Sequence, residues 1–223
     1  MAAPRLGGLA ARVALALALV AALVAVSVAE DAEAFTVDGI DYEVTDEGSH
    51  QVKITSYSGS PKHVYGTVSF GGAEWTVVSV GDCAFNSSES LTTADLPSAT
   101  YVGYGAFSDC GFLTTADLPS ATYVGEDAFS GCRYLTTVDL RSATYVGEAA
   151  FSGCGSLTTA DLPSATSVGD HAFSGCDALT FARFSDELES VGSFAFKVYF
   201  YSGSDQLSAD AGSLKGRTPL PRA

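Results

Sequence analysis

Positive charge is scarce in this chain: 11 Lys and Arg stand against 26 Asp and Glu over 223 residues, a formal net charge of −15. Nucleic acids are held by clustered Lys and Arg, and no such cluster occurs, so DNA and RNA are set aside as partners. The same deficit disfavours an anionic lipid surface. Close-set cysteine pairs of the C-x-x-C kind are missing, and with them the usual zinc frameworks. There is no nucleophile elbow, HExxH pair, phosphate loop or dinucleotide fingerprint. His50, His63 and His171 occupy unrelated phases of the chain. No catalytic residue, metal ligand or cofactor is assigned, and the chain is expected not to be an enzyme.

Long apolar runs are also rare. One occurs, the 17 uncharged residues Val13 to Ala29, preceded by Arg5 and Arg12 and followed by small residues. A basic start, a short apolar stretch and a small-x-small exit describe a secretory signal peptide over residues 1–34, cleaved after Ala29 or after Ala34. The run sits at the lower limit for a membrane span. Retention as an uncleaved N-terminal anchor is the alternative, and the only membrane attachment expected. Loss of Arg5 and Arg12 leaves 9 basic against 26 acidic residues, a formal net of −17. Such a charge keeps an exported protein soluble.

What is abundant is repetition. Aligned on Val-Gly, units begin at Val80, Val102, Val124, Val146 and Val168, with a partial unit at Val191 after one inserted residue. Each unit carries Ala-Phe, then Cys, then a set such as Leu135-x-x-Val138-x-Leu140, the L-x-x-L-x-L pattern of a leucine-rich repeat. Period-two spacing turns Ala116 and Leu118 inward and leaves Thr115 and Asp117 on an open face. Proline at 97, 119 and 163 ends the strand. Gly81, Gly103, Gly125, Gly147, Gly169 and Gly192 are expected at a chain reversal with φ above zero. The predicted fold is a mainly β repeat solenoid over residues 80–198, with a parallel sheet on one face and a Phe buried in each coil. Stability then comes from stacking neighbours. Five coils at about 4.8 Å each give a sheet of about 24 Å.

The consensus V-G-x-x-A-F-S-G-C-x-x-L-T-T-x-D-L-P-S-A-T resembles the BspA-like, Treponema-type leucine-rich repeat, over Val80 to about Phe196. The resemblance implies a secreted or cell-surface protein linked to adhesion and protein binding, and it brings no catalytic residues. Residues 35–79 read as an N-terminal β cap, with hairpins turning at Asp38-Gly39 and Gly71-Gly72; Trp75 is read either as its anchor on the first Phe of the stack or as an ordinary core residue. Residues 199–223 are expected to form a C-terminal cap and a loose tail.

Cys110, Cys132, Cys154 and Cys176 share one phase of the repeat, Ser88 holds that phase in the first unit, and Cys83 is out of phase. Stacked coils hold equivalent Cβ atoms about 4.8 Å apart, beyond the usual disulfide range of about 3.5–4.5 Å. These cysteines are therefore read as small apolar spacers in a core, against occasional bridging or metal binding. Asp95, Asp117, Asp139 and Asp161 form a second periodic set beside Thr93, Thr115, Thr137 and Thr159. Like charges in register destabilise a sheet. Three readings stand for this row: a solvated acidic face, a partner-binding face, or a calcium site. Tyr101, Tyr123 and Tyr145 recur before each Val-Gly and are expected to pack over the core, the other reading being an aromatic stripe. Asn86-Ser87-Ser88 is a glycosylation sequon, with Asn86 the acceptor. The functional expectation is a secreted or cell-surface module that binds a protein or glycan through the Thr/Asp row. The alternative is a passive structural envelope protein without a specific ligand.

Overall fold

A computed structural model describes residues 34–196. The expected signal-peptide segment up to residue 33, with the cleavage position after Ala29, and the chain after Phe196 with the expected C-terminal cap and tail, lie outside the described residues; the alternative cleavage position, after Ala34, falls at the start of the first described strand. The N-terminal strands are β1 (Ala34–Val37), β2 (Ile40–Asp46), β3 (Gln51–Tyr57), β4 (His63–Tyr65), β5 (Thr67–Phe70) and β6 (Ala73–Val80). Each coil then contributes one strand on either side. In chain order these are β7 (Thr93–Asp95), β8 (Tyr101–Val102), β9 (Thr115–Asp117), β10 (Tyr123–Val124), β11 (Thr137–Asp139) and β12 (Tyr145–Val146). They continue as β13 (Thr159–Leu162), β14 (Ser167–Val168), β15 (Phe181–Phe184) and β16 (Ser190–Val191).

The result is a β-solenoid with parallel pairing on two sides. One sheet runs β1-β2-β3-β6-β8-β10-β12-β14-β16, with β5 also on β6, so the N-terminal strands continue into the repeats without a break. Opposite it, β4-β7-β9-β11 form a second sheet and β13-β15 a third. This opposite face divides at β11. There Val138 occupies the slot that Ala94, Ala116 and Ala160 fill at 2% exposure, and it is only half-buried.

The third side of each coil is a string of tight turns. Its ladder uses the Phe amides: Phe85, Phe107, Phe129 and Phe151 each donate at 2.7 Å to the alanine carbonyl of the next coil. The rings stack in one column from Phe85 to Phe196, with centroids 5.0–5.3 Å apart. Around this column lie the buried leucines, valines and alanines of every coil in one continuous core. Threonines stitch the corners, as where the Thr122 and Thr136 hydroxyls donate to the carbonyls of Thr100 and Thr114.

Two expectations need correction. The glycines after each Val are not left-handed; one left-handed row falls two positions later, at Cys83, Gly105, Asp127, Ala149, His171 and Phe194, with φ between 51° and 56°, and a second at Ser87, Asp109, Gly131, Gly153 and Gly175. Non-glycine residues pay about 1–2 kcal/mol there, and bonds such as Cys83 N–H to Tyr104 C=O (2.7 Å) and Asp127 N–H to Glu148 C=O (2.9 Å) hold the geometry. Glycine is required after the Val by close approach: a Cβ on Gly125 would lie 2.7 Å from the backbone carbon of Gly103. Nor does Trp75 anchor the N-terminal strands on the first Phe. Tyr57 stacks on Phe85 at 5.6 Å, while Trp75 packs with Phe35 and His50 and donates to the Phe70 carbonyl. Both turns expected from Asp38-Gly39 and Gly71-Gly72 join antiparallel pairs, β1–β2 and β5–β6.

Candidate binding face

Strict coil-on-coil register converts the period of the sequence into rows of side chains. On the face formed by β4, β7, β9 and β11, Thr93, Thr115 and Thr137 align in one row and Asp95, Asp117 and Asp139 in the next. The alanines or valine between them point inward, as period-two geometry demands. Thr159 and Asp161 occupy the equivalent places on β13, beyond the division of the sheet. All eight side chains are at least partly exposed.

The two rows extend into the N-terminal segment, which sequence reasoning missed. His63 pairs in register with Thr93 and Tyr65 with Asp95, and His63 Nδ1 lies 2.6 Å from the Thr93 hydroxyl. The tripeptide His63-Val64-Tyr65 carries no repeat signature, so only its alternation (exposed, buried, exposed) marked it as a strand.

Charge along the Asp row is uneven. Arg141 stands where three other coils have proline, and its guanidinium bonds the Asp139 carboxylate, holding that carboxyl below its usual range. Arg183 bonds Asp161 at 2.6 and 2.8 Å from the next strand, where an acidic residue would continue the row. Among the described residues, neither Asp95 nor Asp117 has an ion-pair partner. Partial burial, reinforced by the charges of Asp139 and Asp95, pushes the Asp117 carboxyl up. The ionised Asp117 therefore costs folding stability in full above its raised folded-state pKa, and this cost falls away as pH drops from that value to the lower pKa of the unfolded chain.

The cysteines have a specific task. Cys110, Cys132, Cys154 and Cys176 are buried and unbridged, and each thiol points at the Phe carbonyl of the preceding coil with Sγ–O of 3.0–3.2 Å. The S–H is a weak donor that gives this carbonyl a second partner. Burial pushes the Cys154 thiol up and takes Cys176 to about 12, so neither is a ready thiolate nucleophile. Ser88 keeps the same buried place and accepts from the Leu91 amide. Asn86 is exposed, two residues before it. Among the described residues, no group of three or more His, Cys, Asp or Glu is placed to hold a metal. Tyr101, Tyr123 and Tyr145 do not pack over the core; they stand exposed in a stack on β8, β10 and β12, because the inward positions there belong to Val102, Val124 and Val146.

Comparison with known proteins follows the same geometry. The model of the BspA type leucine-rich repeat region matches residues 73–180 and 144–202 in six copies. The chain belongs to this family. Among solved structures, a leucine-rich cell-surface protein of Faecalibacterium prausnitzii A2-165 is similar, with a TM-score of 0.60 and 27% identity over 70% of this chain. This chain spans 43% of that protein's length. A leucine-rich repeat protein of T. pallidum has a TM-score of 0.54 and 26% identity, over 69% of this chain and 82% of its own. No curated protein matches the chain.

Proposed function

We propose that this BspA-type protein is an exported, cell-surface binding module that holds a protein or glycan through its Thr/Asp face. The carrying observation is the register itself: hydroxyls and carboxylates repeat coil by coil on one face, and Asp95 and Asp117 have no cation of their own among the described residues. Extended faces of this kind are what solenoids use for recognition. The basic-apolar-small N-terminus supports export, and the similar Faecalibacterium protein is described as a cell-surface protein. The role is binding rather than catalysis, with a protein or glycan as partner.

The test is an array of matrix proteins, mucins and glycans probed with the purified chain and with the variant Asp117→Lys/Asp139→Lys. Both side chains face outward, so the variant should fold with a stability change within about 1 kcal/mol. Its binding to any selective hit should fall about tenfold or more, equivalent to about 1.4 kcal/mol. Binding untouched by the two substitutions would move the site off this face. A blank array from a folded, monomeric chain would favour the passive envelope role, which the near-identity of the coils also fits.

A further inference from the structure

The sheet on the opposite side of the solenoid carries a second ordered surface. Lys53, Ser79, Tyr101, Tyr123, Tyr145 and Ser167 form one in-register outward column across six strands. The three tyrosine rings are parallel, with centroids 4.9 Å apart and interplanar angles of 3° and 8°. They remain 37–40% exposed. Packing the coils does not require them, since Ser167 and Ser190 fill the same column in β14 and β16.

Stacking dictates what such a row can recognise. Each inner ring face is taken by its neighbour, so the surface presents ring edges and phenolic oxygens. A sugar needs a free ring face to stack upon and gains little here. A polypeptide that supplies N–H donors and cations gains more. Acidic side chains line one flank, with Asp82, Glu126 and Glu148 exposed just past the Val-Gly turns. Partial burial first, then the neighbouring tyrosines, Asp82 and Glu126, hold the Tyr123 hydroxyl above its usual range. Lys53, the cation of this column, is paired with Glu43 at 3.9 Å. The other Lys and Arg among the described residues, Lys62, Arg133, Arg141 and Arg183, lie outside the tyrosine column.

We infer that the tyrosine row and its acidic flank form a docking surface for a Lys/Arg-bearing extended segment of a partner protein. Tyrosine supplies contact area at low entropic cost and is enriched among interface hot spots. The uncompensated carboxylates select a positive partner and speed its encounter. This surface lies on a different sheet from the Thr/Asp face and stands independently of it.

The experiment is fluorescence anisotropy of the purified chain with labelled peptides of alternating Lys-Thr, alternating Glu-Thr and Ser-Thr. It is repeated for Tyr101→Ser/Tyr123→Ser/Tyr145→Ser, for Glu126→Gln/Glu148→Gln and for Asp117→Lys/Asp139→Lys, each checked by circular dichroism. The Lys-Thr peptide should bind selectively, and more weakly as salt rises. Its affinity should fall about tenfold in the tyrosine variant and severalfold in the glutamate variant, with less than about a twofold change for the Asp→Lys variant, a spread set by central versus peripheral contacts. Equal binding of all three peptides, absence of Lys-Thr binding, or binding lost in the Asp→Lys variant but kept in the tyrosine variant would overturn the inference. So would self-association of the chain that the tyrosine substitutions abolish, because the occupant would then be a second copy.

Discussion

Phe129→Ala is expected to remove about 3–5 kcal/mol of stability, the usual cost of emptying a large aromatic site in a core. Phe129 is fully buried, with Phe107 at 5.0 Å on one side and Phe151 at 5.1 Å on the other. Its loss leaves two rings facing a void at once. Collapse is opposed by the backbone ladder, since Phe129 N–H is bonded to the Ala150 carbonyl at 2.7 Å and fixes the coil spacing. Natural domains have only about 5–15 kcal/mol in total, so the variant should melt far below the parent. The check is urea denaturation of parent, Phe129→Ala and Phe129→Leu. The leucine variant should recover most of the loss. Equal midpoints for all three would show that the column is not the core.

Gly125→Ala should be nearly as damaging, for a steric reason. The added methyl would lie 2.7 Å from the Gly103 carbon, 2.8 Å from its oxygen and 2.9 Å from the Tyr104 nitrogen. Every one of these is backbone, and no side-chain rotation relieves the clash. Relief means separating two coils, which stretches the 2.9 Å bond from Gly125 N–H to Val102 C=O. Overpacking of this kind costs about 1–3 kcal/mol and occasionally more. Gly155 makes the control: a Cβ there meets nothing within 4 Å, so Gly155→Ala should change stability by about 0.5 kcal/mol or less. Thermal melts of the two variants side by side separate crowding from a general intolerance of alanine.

The contrast between these glycines shows where one-letter reading ends. A glycine recurring every 22 residues announces a backbone constraint, yet positive φ and close approach leave the same mark in a sequence. Only the stacked coils show that Gly103, Gly125 and Gly147 are squeezed by their neighbours, whereas Asp127 and Ala149 carry the left-handed turn. The solenoid was legible because its period is its physics: Phe, Cys and Leu recur where each coil must touch the next. The tyrosines recurred just as clearly, but periodicity does not distinguish an inward row from an outward one when a strand is two residues long.

The candidate face was legible to the same degree and no further. The Thr and Asp rows followed from alternation along Thr115-Ala116-Asp117. The features that make the face uneven came from departures from the repeat. Arg141 replaces proline, Arg183 follows Asp161 in register, and His63 and Tyr65 join from a strand outside the consensus. Such residues look like noise in an alignment of units. In three dimensions they decide which carboxylates keep their charge uncompensated.

All of this rests on one claim, that the 22-residue unit is the structural unit and each coil is held by its neighbours. Deleting Val124 through Tyr145 tests it most directly, because Tyr123 is then followed by Val146 and the register is preserved. Circular dichroism and a thermal melt should show a folded β protein with a lower melting temperature. An unfolded chain, or one whose stability does not change, would contradict the account.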